Sequence, residues 1–182
     1  LTSQIHDLMK KRIIQEIRDL QPRMYLFGGM IHDLIVGTKP NGYDVMVVAE
    51  QVIIQNVINM LKQNYEYTEE YSKRLGGNHI VRFPELTIIL VNQNEKLVID
   101  FPVNSLAVKL EYCNCKFTIS DICTLLKYEK YHPETRIKVS EIFAQIRHKE
   151  LIHDSVNWKD GEEVFELYRI CKMFSKGYTS KQ

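Results

Sequence analysis

The sequence has no apolar run near the ~20 residues that a membrane-spanning helix requires, which excludes that class of membrane protein. Its opening residues, Leu1-Thr2-Ser3-Gln4, carry no apolar core of a secretory signal. Cysteine is scarce: Cys113, Cys115, Cys123 and Cys171 match neither a zinc-ligand spacing nor a disulfide framework. Buried free thiols in a reducing compartment are the expectation, and with it an intracellular, cytoplasmic location with no membrane partner. An excess of charge of one sign is also missing. Lys and Arg total 24 against 23 Asp and Glu, a formal net charge of +1, so no global field pushes the chain toward nucleic acid. Any RNA contact must come from a local patch, such as Lys10-Lys11-Arg12, whose simpler reading is a solvated helix face. His148, His153 and Asp154 lack the spacing of a metal site, and internal repeats and low-complexity tracts are absent.

What is present is enough for a core. The chain has 182 residues, 45% of them apolar, which suits one domain with a small appendage. Ile5, Leu8, Met9, Ile13, Ile17 and Leu20 recur at helical spacing over 4–20, and Pro22 stops that helix. Met24 to Phe27 reads as a buried strand running into Gly28-Gly29, followed by a short helix over 30–36 with Gly37 as its stop. Tyr43 to Val48 is β-branched and strand-like, and Val52 to Leu61 is helical. Strand-like runs over 80–83, 86–91 and 97–103 suggest an antiparallel meander. Helices are expected over 119–128, 139–148 and 159–176. The last carries Val164, Leu167, Tyr168, Cys171 and Phe174 on one face, and Trp158 anchors its start. Tyr65, Tyr67 and Tyr71 could stack on bases, but packing is the simpler role. Strands early and helices around them give an α+β class with a mixed, largely antiparallel sheet.

The chemistry concentrates in residues 25–48, YLFGGMIHDLIVGTKPNGYDVMVV. A Gly-Gly turn feeding a helix start exposes backbone N–H groups that can cradle a triphosphate, and glycine permits the close approach. An aspartate on the next strand could hold Mg²⁺ beside those phosphates. Taken alone, Gly-Gly turns are common and the pattern has a purely structural reading as well.

In order and spacing, however, the stretch resembles the signature of the tRNA CCA-adding enzymes and bacterial-type poly(A) polymerases: Gly-Gly-x-Val-Arg-Asp-Leu, then a loop, then Asp-x-Asp on a strand. Gly28, Gly29, Asp33, Leu34, Gly37 and Asp44 fall in register without a gap. Three later blocks continue the resemblance. Leu97-Val98-Ile99-Asp100-Phe101 is similar to the strand bearing the superfamily's third acid. Asn114-Cys115-Lys116-Phe117-Thr118-Ile119 resembles Arg-Arg-Asp-Phe-Thr-Ile. Residues 162–173 resemble Glu-Asp-Pro-Leu-Arg-x-Leu-Arg-x-x-Arg-Phe. The likeness covers about 23–175.

The resemblance implies a polymerase β-like nucleotidyltransferase fold, with a head domain over 1–155 and the start of a helical neck over 156–182. It implies NTP (ATP or CTP) and RNA as partners and Mg²⁺ as cofactor. By position it implies Asp44 and Asp100 as catalytic metal ligands, and Gly28, Gly29, His32, Asp33, Lys116, Arg169 and Lys172 as nucleotide-binding residues. The departures fall on chemical positions. The family's Arg before Asp33 is His32, and its first Asp of Asp-x-Asp is Gly42. Sliding the alignment only moves the gap to Met46. Arg-Arg-Asp has become Asn114, Cys115 and Lys116, while Val164 and Glu166 replace a Pro and an Arg. The family's tRNA-gripping parts follow the last helix, so the resemblance implies a piece of a longer protein or one without them. The expected function is RNA 3′-end nucleotide addition with impaired catalysis. The alternatives are a non-catalytic relative that binds nucleotide, RNA or a protein partner, and an unrelated α+β domain whose match is chance.

Overall fold

The computed structural model describes residues 7–8, 11–72, 78–94, 102–110, 122–124, 139–151 and 163–180. Its first half runs α1 (Arg12–Asp19), β1 (Arg23–Phe27), α2 (Gly29–Val36), β2 (Tyr43–Ala49), α3 (Gln51–Asn64), β3 (Thr68–Ser72), β4 (Asn78–Phe83) and β5 (Leu86–Asn92). A 3₁₀ turn at Pro102–Asn104 precedes β6 (Leu106–Lys109) and β7 (Ile122–Thr124). Then come α4 (Val139–His148), β8 (Glu150–Leu151), α5 (Glu163–Ser175) and β9 (Thr179–Ser180).

Seven strands form one sheet in the order β3-β4-β5-β2-β1-β6-β7, and β8 pairs with β9 in a separate parallel pair. The large sheet is mixed: β2 and β5 run parallel, and every other neighbouring pair is antiparallel. The parallel pair lies at the centre, where strands must be apolar on both faces. Val45 to Ala49 are accordingly all buried.

Strand alternation splits the core in two. Met24, Leu26, Val45, Val47, Ile88, Leu90, Leu106 and Val108 face the helices and join Ile14, Ile17, Ile31, Ile54, Val57, Leu61, Ile142 and Ile146 in the main core. Tyr25, Met46, Val48, Ile80, Ile89, Val91 and Ala107 form a second buried cluster on the other face. In α3, Ile54, Val57, Ile58 and Leu61 lie at i, i+3, i+4 and i+7, the stripe that packs a helix on a sheet.

Several expectations change. The first helix is interrupted: Lys11 is extended (φ −60°, ψ 132°) and α1 starts at Arg12. Ile122–Thr124 is a strand where a helix over 119–128 was expected, because three residues rich in β-branching fit an edge pairing with β6. Within the expected strand over 97–103, Val103 belongs to the 3₁₀ turn and the rest up to Phe101 lies outside the described residues. The helix over 30–36, the strand over 43–48 and the β4–β5 hairpin match the reading. Gly37 is the left-handed C-cap of α2. Tyr65 and Tyr67 pack their rings on Phe83, and the Tyr65 hydroxyl donates to Glu16. Leu167, Tyr168, Cys171 and Phe174 are exposed, because α5 turns Met173 and Ile170 to the core instead. Cys171 is therefore not a buried thiol.

Ile88 is fully buried in the central strand, and Val52 is 71% exposed on α3. Ile88→Ala should lower the unfolding free energy by about 2–5 kcal/mol. Val52→Ala should change it by less than about 0.5 kcal/mol. Urea unfolding of the two variants checks this.

Candidate active site at the glycine turn

β1 ends at Phe27 and its backbone turns into α2 through Gly28. Gly28 has φ 84° and ψ −150°, a conformation essentially reserved for glycine. Its N–H donates to the Leu106 carbonyl at 3.1 Å, which ties the turn to β6. A helix start presents N–H groups without intrahelical acceptors, and here that start is Gly29.

Asp44 lies on β2, one step beyond the Leu26↔Val45 pair of the antiparallel β1–β2 register. That position carries its carboxylate to the turn: a Cβ on Gly28 would stand 3.6 Å from Asp44 Oδ2. On the other side, a Cβ on Gly29 would stand 3.9 Å from the Lys176 ammonium. The glycine pair is thus flanked by one carboxylate and one cation.

Gly42 is crowded. A Cβ there would meet the Glu85 carbonyl oxygen at 3.2 Å and its carbon at 3.6 Å. The same carbonyl accepts the Tyr43 N–H at 2.8 Å, so it is held in place by the pairing that starts β2. A side chain at the position where the resemblance expects an acid would press on this carbonyl.

His32 faces inward and is 3% exposed. Its Nδ1 lies 3.3 Å from Asp33 Oδ1, and its Nε2 is hydrogen-bonded to the Tyr178 hydroxyl. Burial holds the imidazole below its ordinary pKa; Asp33 opposes this, and Lys176 and Lys149 add to it. Burial, reinforced by Asp33, pushes the Tyr178 hydroxyl up to about 12. The neutral pair has one consistent arrangement: Nδ1–H donates to Asp33, and the Tyr178 O–H donates to Nε2.

The end of α5 delivers Lys176 and Tyr178. Gly177 has φ 90°; its N–H bonds the Phe174 carbonyl and that of Tyr178 bonds the Met173 carbonyl. This is the Schellman ending of a helix. The Lys149 ammonium donates to the Lys176 carbonyl at 2.9 Å and lies 5.9 Å from the Tyr178 ring. β9 then pairs with β8. Lys149, Lys176 and Tyr178 had no place in the sequence reading; the signal was Lys176-Gly177-Tyr178, a basic helix end followed by a glycine stop.

Of the expected site residues, Gly28, Gly29, His32, Asp33 and Asp44 come together around the turn. Asp100 and Lys116 lie outside the described residues. Arg169 is on α5, and Lys172 is exposed in its last turn. Among the described residues no group of three His, Cys, Asp or Glu could hold a metal ion. Asp44 places its carboxylate at the turn.

No family profile matches the chain, and no curated protein does. Solved structures do. A CCA-adding enzyme in an apo form superposes with a TM-score of 0.53 at 14% identity, over 99% of this chain and 40% of that one. The Thermotoga maritima CCA-adding enzyme complexed with tRNA gives 0.52 at 12% identity, over 100% and 42%. A CCA-adding enzyme in complex with ATP gives 0.50 at 14%, over 99% and 43%. The chain shares the α+β fold of the matching part of these enzymes. The chain spans about two-fifths of the length of these enzymes, and at this identity the likeness concerns the fold.

Two outcomes are expected. His32 binds a proton more readily unfolded than folded, so its contribution is full above its ordinary pKa of about 6.5 and is lost as pH falls below it. Urea unfolding between pH 7 and 5 should show falling stability, with a shallower slope in His32→Leu. Gly42→Asp should cost about 1–3 kcal/mol by overpacking, read by urea unfolding. A stability equal to that of the parent protein would contradict the crowding at Gly42.

Proposed function

We propose that this chain is a nucleotidyltransferase-like protein of the type that adds nucleotides to RNA 3′ ends, retaining an NTP site at the glycine turn and impaired in transfer. The observation that carries this reading is the Asp44 carboxylate at the Gly28-Gly29 turn, in this fold, with glycine and a tight contact at position 42. An NTP triphosphate would lie on the N–H groups at the start of α2, and Lys176 would supply the positive charge that neutral, inward-facing His32 does not. Asp44 and Asp100 would hold one Mg²⁺, which neutralises phosphate charge when bound. Lys116, Arg169 and Lys172 would contact the nucleotide from their own segments. ATP or CTP and an RNA 3′ end are the proposed ligands.

Impairment follows from the missing acid. In-line transfer uses two ions to stabilise the attacking and leaving oxygens, and each ~2.7 kcal/mol of lost stabilisation lowers the rate about a hundredfold. A second reading, a non-catalytic relative that keeps nucleotide, RNA or protein binding, is favoured by glycine standing at position 42 in a tight contact with the Glu85 carbonyl. In both readings 1–155 is the head and 156–182 the start of a neck. Met173 and Tyr178 belong to the main core, so that segment would dock tightly on the head.

Calorimetric titration with ATP and CTP, with and without Mg²⁺, tests the site. Binding should require Mg²⁺, be lost in Asp44→Asn, and weaken about tenfold in Lys176→Met, the size of one charge-assisted hydrogen bond. Absence of binding at millimolar nucleotide would remove the reading. If binding is present, incubation of RNA with radiolabelled ATP separates impaired from absent transfer.

A further inference from the structure

The ends of α4 and α5 meet at Lys176, and the two helices stop differently. α5 closes on Gly177 at φ 90°, as helices commonly do. α4 closes on Lys149, whose φ is 50°. That left-handed conformation is costly for a residue with a side chain, and glycine would adopt it without strain. A lysine here is set against the backbone preference, and its side chain has specific contacts. The ammonium donates to the Lys176 carbonyl at 2.9 Å and lies 5.9 Å from the Tyr178 ring centre. The stem lies against Gly177, where an added Cβ would stand 3.5 Å from Lys149 Cδ. Strain kept in place by such contacts is a pointer to function.

These contacts converge on the backbone of one residue. Lys149 holds the Lys176 carbonyl, which the end of a helix leaves without an intrahelical donor. The Lys176 N–H donates to the Met173 carbonyl at 3.0 Å. Two residues on, Tyr178 is buried in the main core and its hydroxyl is bonded to His32 on α2. The Thr179 N–H donates to the Lys149 carbonyl at 2.8 Å, where β9 meets β8. A lysine stem is long and flexible, so the reach of its ammonium is set by where its backbone is fixed. Here the Lys176 ammonium stands 3.9 Å from the place of a Cβ on Gly29. Among the described residues it forms no ion pair.

We infer that Lys149 and Tyr178 are positioning residues for the site at the glycine turn: they fix the backbone of Lys176 so that its ammonium meets the polyphosphate of a nucleotide there. The inference rests on the function proposed above for its ligand. Both residues act through Lys176. Lys149 holds it from the end of α4, and Tyr178 ties the following turn to α2, the helix whose start carries Gly29. The strained backbone at Lys149 is then retained for an ammonium that glycine would not supply.

The test is a set of calorimetric titrations with Mg²⁺–ATP and, separately, with inorganic tripolyphosphate. Lys149→Met and Tyr178→Phe should each weaken both ligands about fivefold, the worth of one hydrogen bond. Combined with Lys176→Met, each should add less than about 1.5-fold, because the group it acts through is gone. Lys149→Arg keeps a donor for the Lys176 carbonyl and should restore binding to within about twofold of the parent protein. Leu61→Val, in the core under α3, should lower the melting temperature and leave both affinities unchanged, which separates positioning from a loosened fold. If thermal melts show that Tyr178→Phe does not fold, Lys149→Met, at a half-buried position, carries the comparison alone. Full additivity with Lys176→Met, or unchanged affinity in folded variants, overturns the inference and leaves the proposed function standing. If ATP does not bind and tripolyphosphate binding still depends on Lys149, Tyr178 and Lys176, the proposed function fails and the positioning stands. If neither ligand binds, both fall.

Discussion

The antiparallel register of β1 against β2 is the constraint on which the candidate site depends. Arg23↔Val48 through Leu26↔Val45 fixes which residues of the two strands share a face. A slip of one residue would move Leu26 and Val45 out of the main core and Asp44 away from the turn. The register is specified strongly because both faces are buried: Val45 and Val47 belong to one core, Met46 and Val48 to the other. The cost of misplacing four apolar side chains therefore holds one half-buried carboxylate within van der Waals reach of Gly28. Packing positions the chemistry, and the chemistry contributes little to packing.

Around that frame the electrostatics have been rearranged. His32 is a buried neutral group with both ring nitrogens engaged, and Tyr178 is a buried hydroxyl that stays protonated. Their hydrogen bond fastens the residues after α5 to α2, and the same turn brings the Lys176 ammonium to Gly29. Positive charge near the glycines thus comes from the distant end of the chain.

Much of the sheet was legible in the sequence. β2, β5, α2 and α3 announce themselves through β-branched runs, helical spacing and the glycines at either end of α2, and Asp44 could be placed beside Gly28 before any coordinates. β6 and β7 could not be read, because four and three residues are too few for a period to show. The crowding at Gly42 was also invisible, since it arises from the Glu85 carbonyl across the sheet. Lys176 depends on a helix ending that aims the chain backward, and only the three-dimensional path shows where that leads.

The claim at the centre of this account is that nucleotide and a divalent ion meet at the glycine turn beside Asp44. Amide NMR during addition of Mn²⁺–ATP reads this position by position, because the paramagnetic ion broadens nearby signals. The account predicts that the Gly28, Gly29 and Asp44 amides broaden first, with Lys176 shifting on addition of Mg²⁺–ATP. Broadening centred elsewhere, or none at saturating nucleotide, would contradict it.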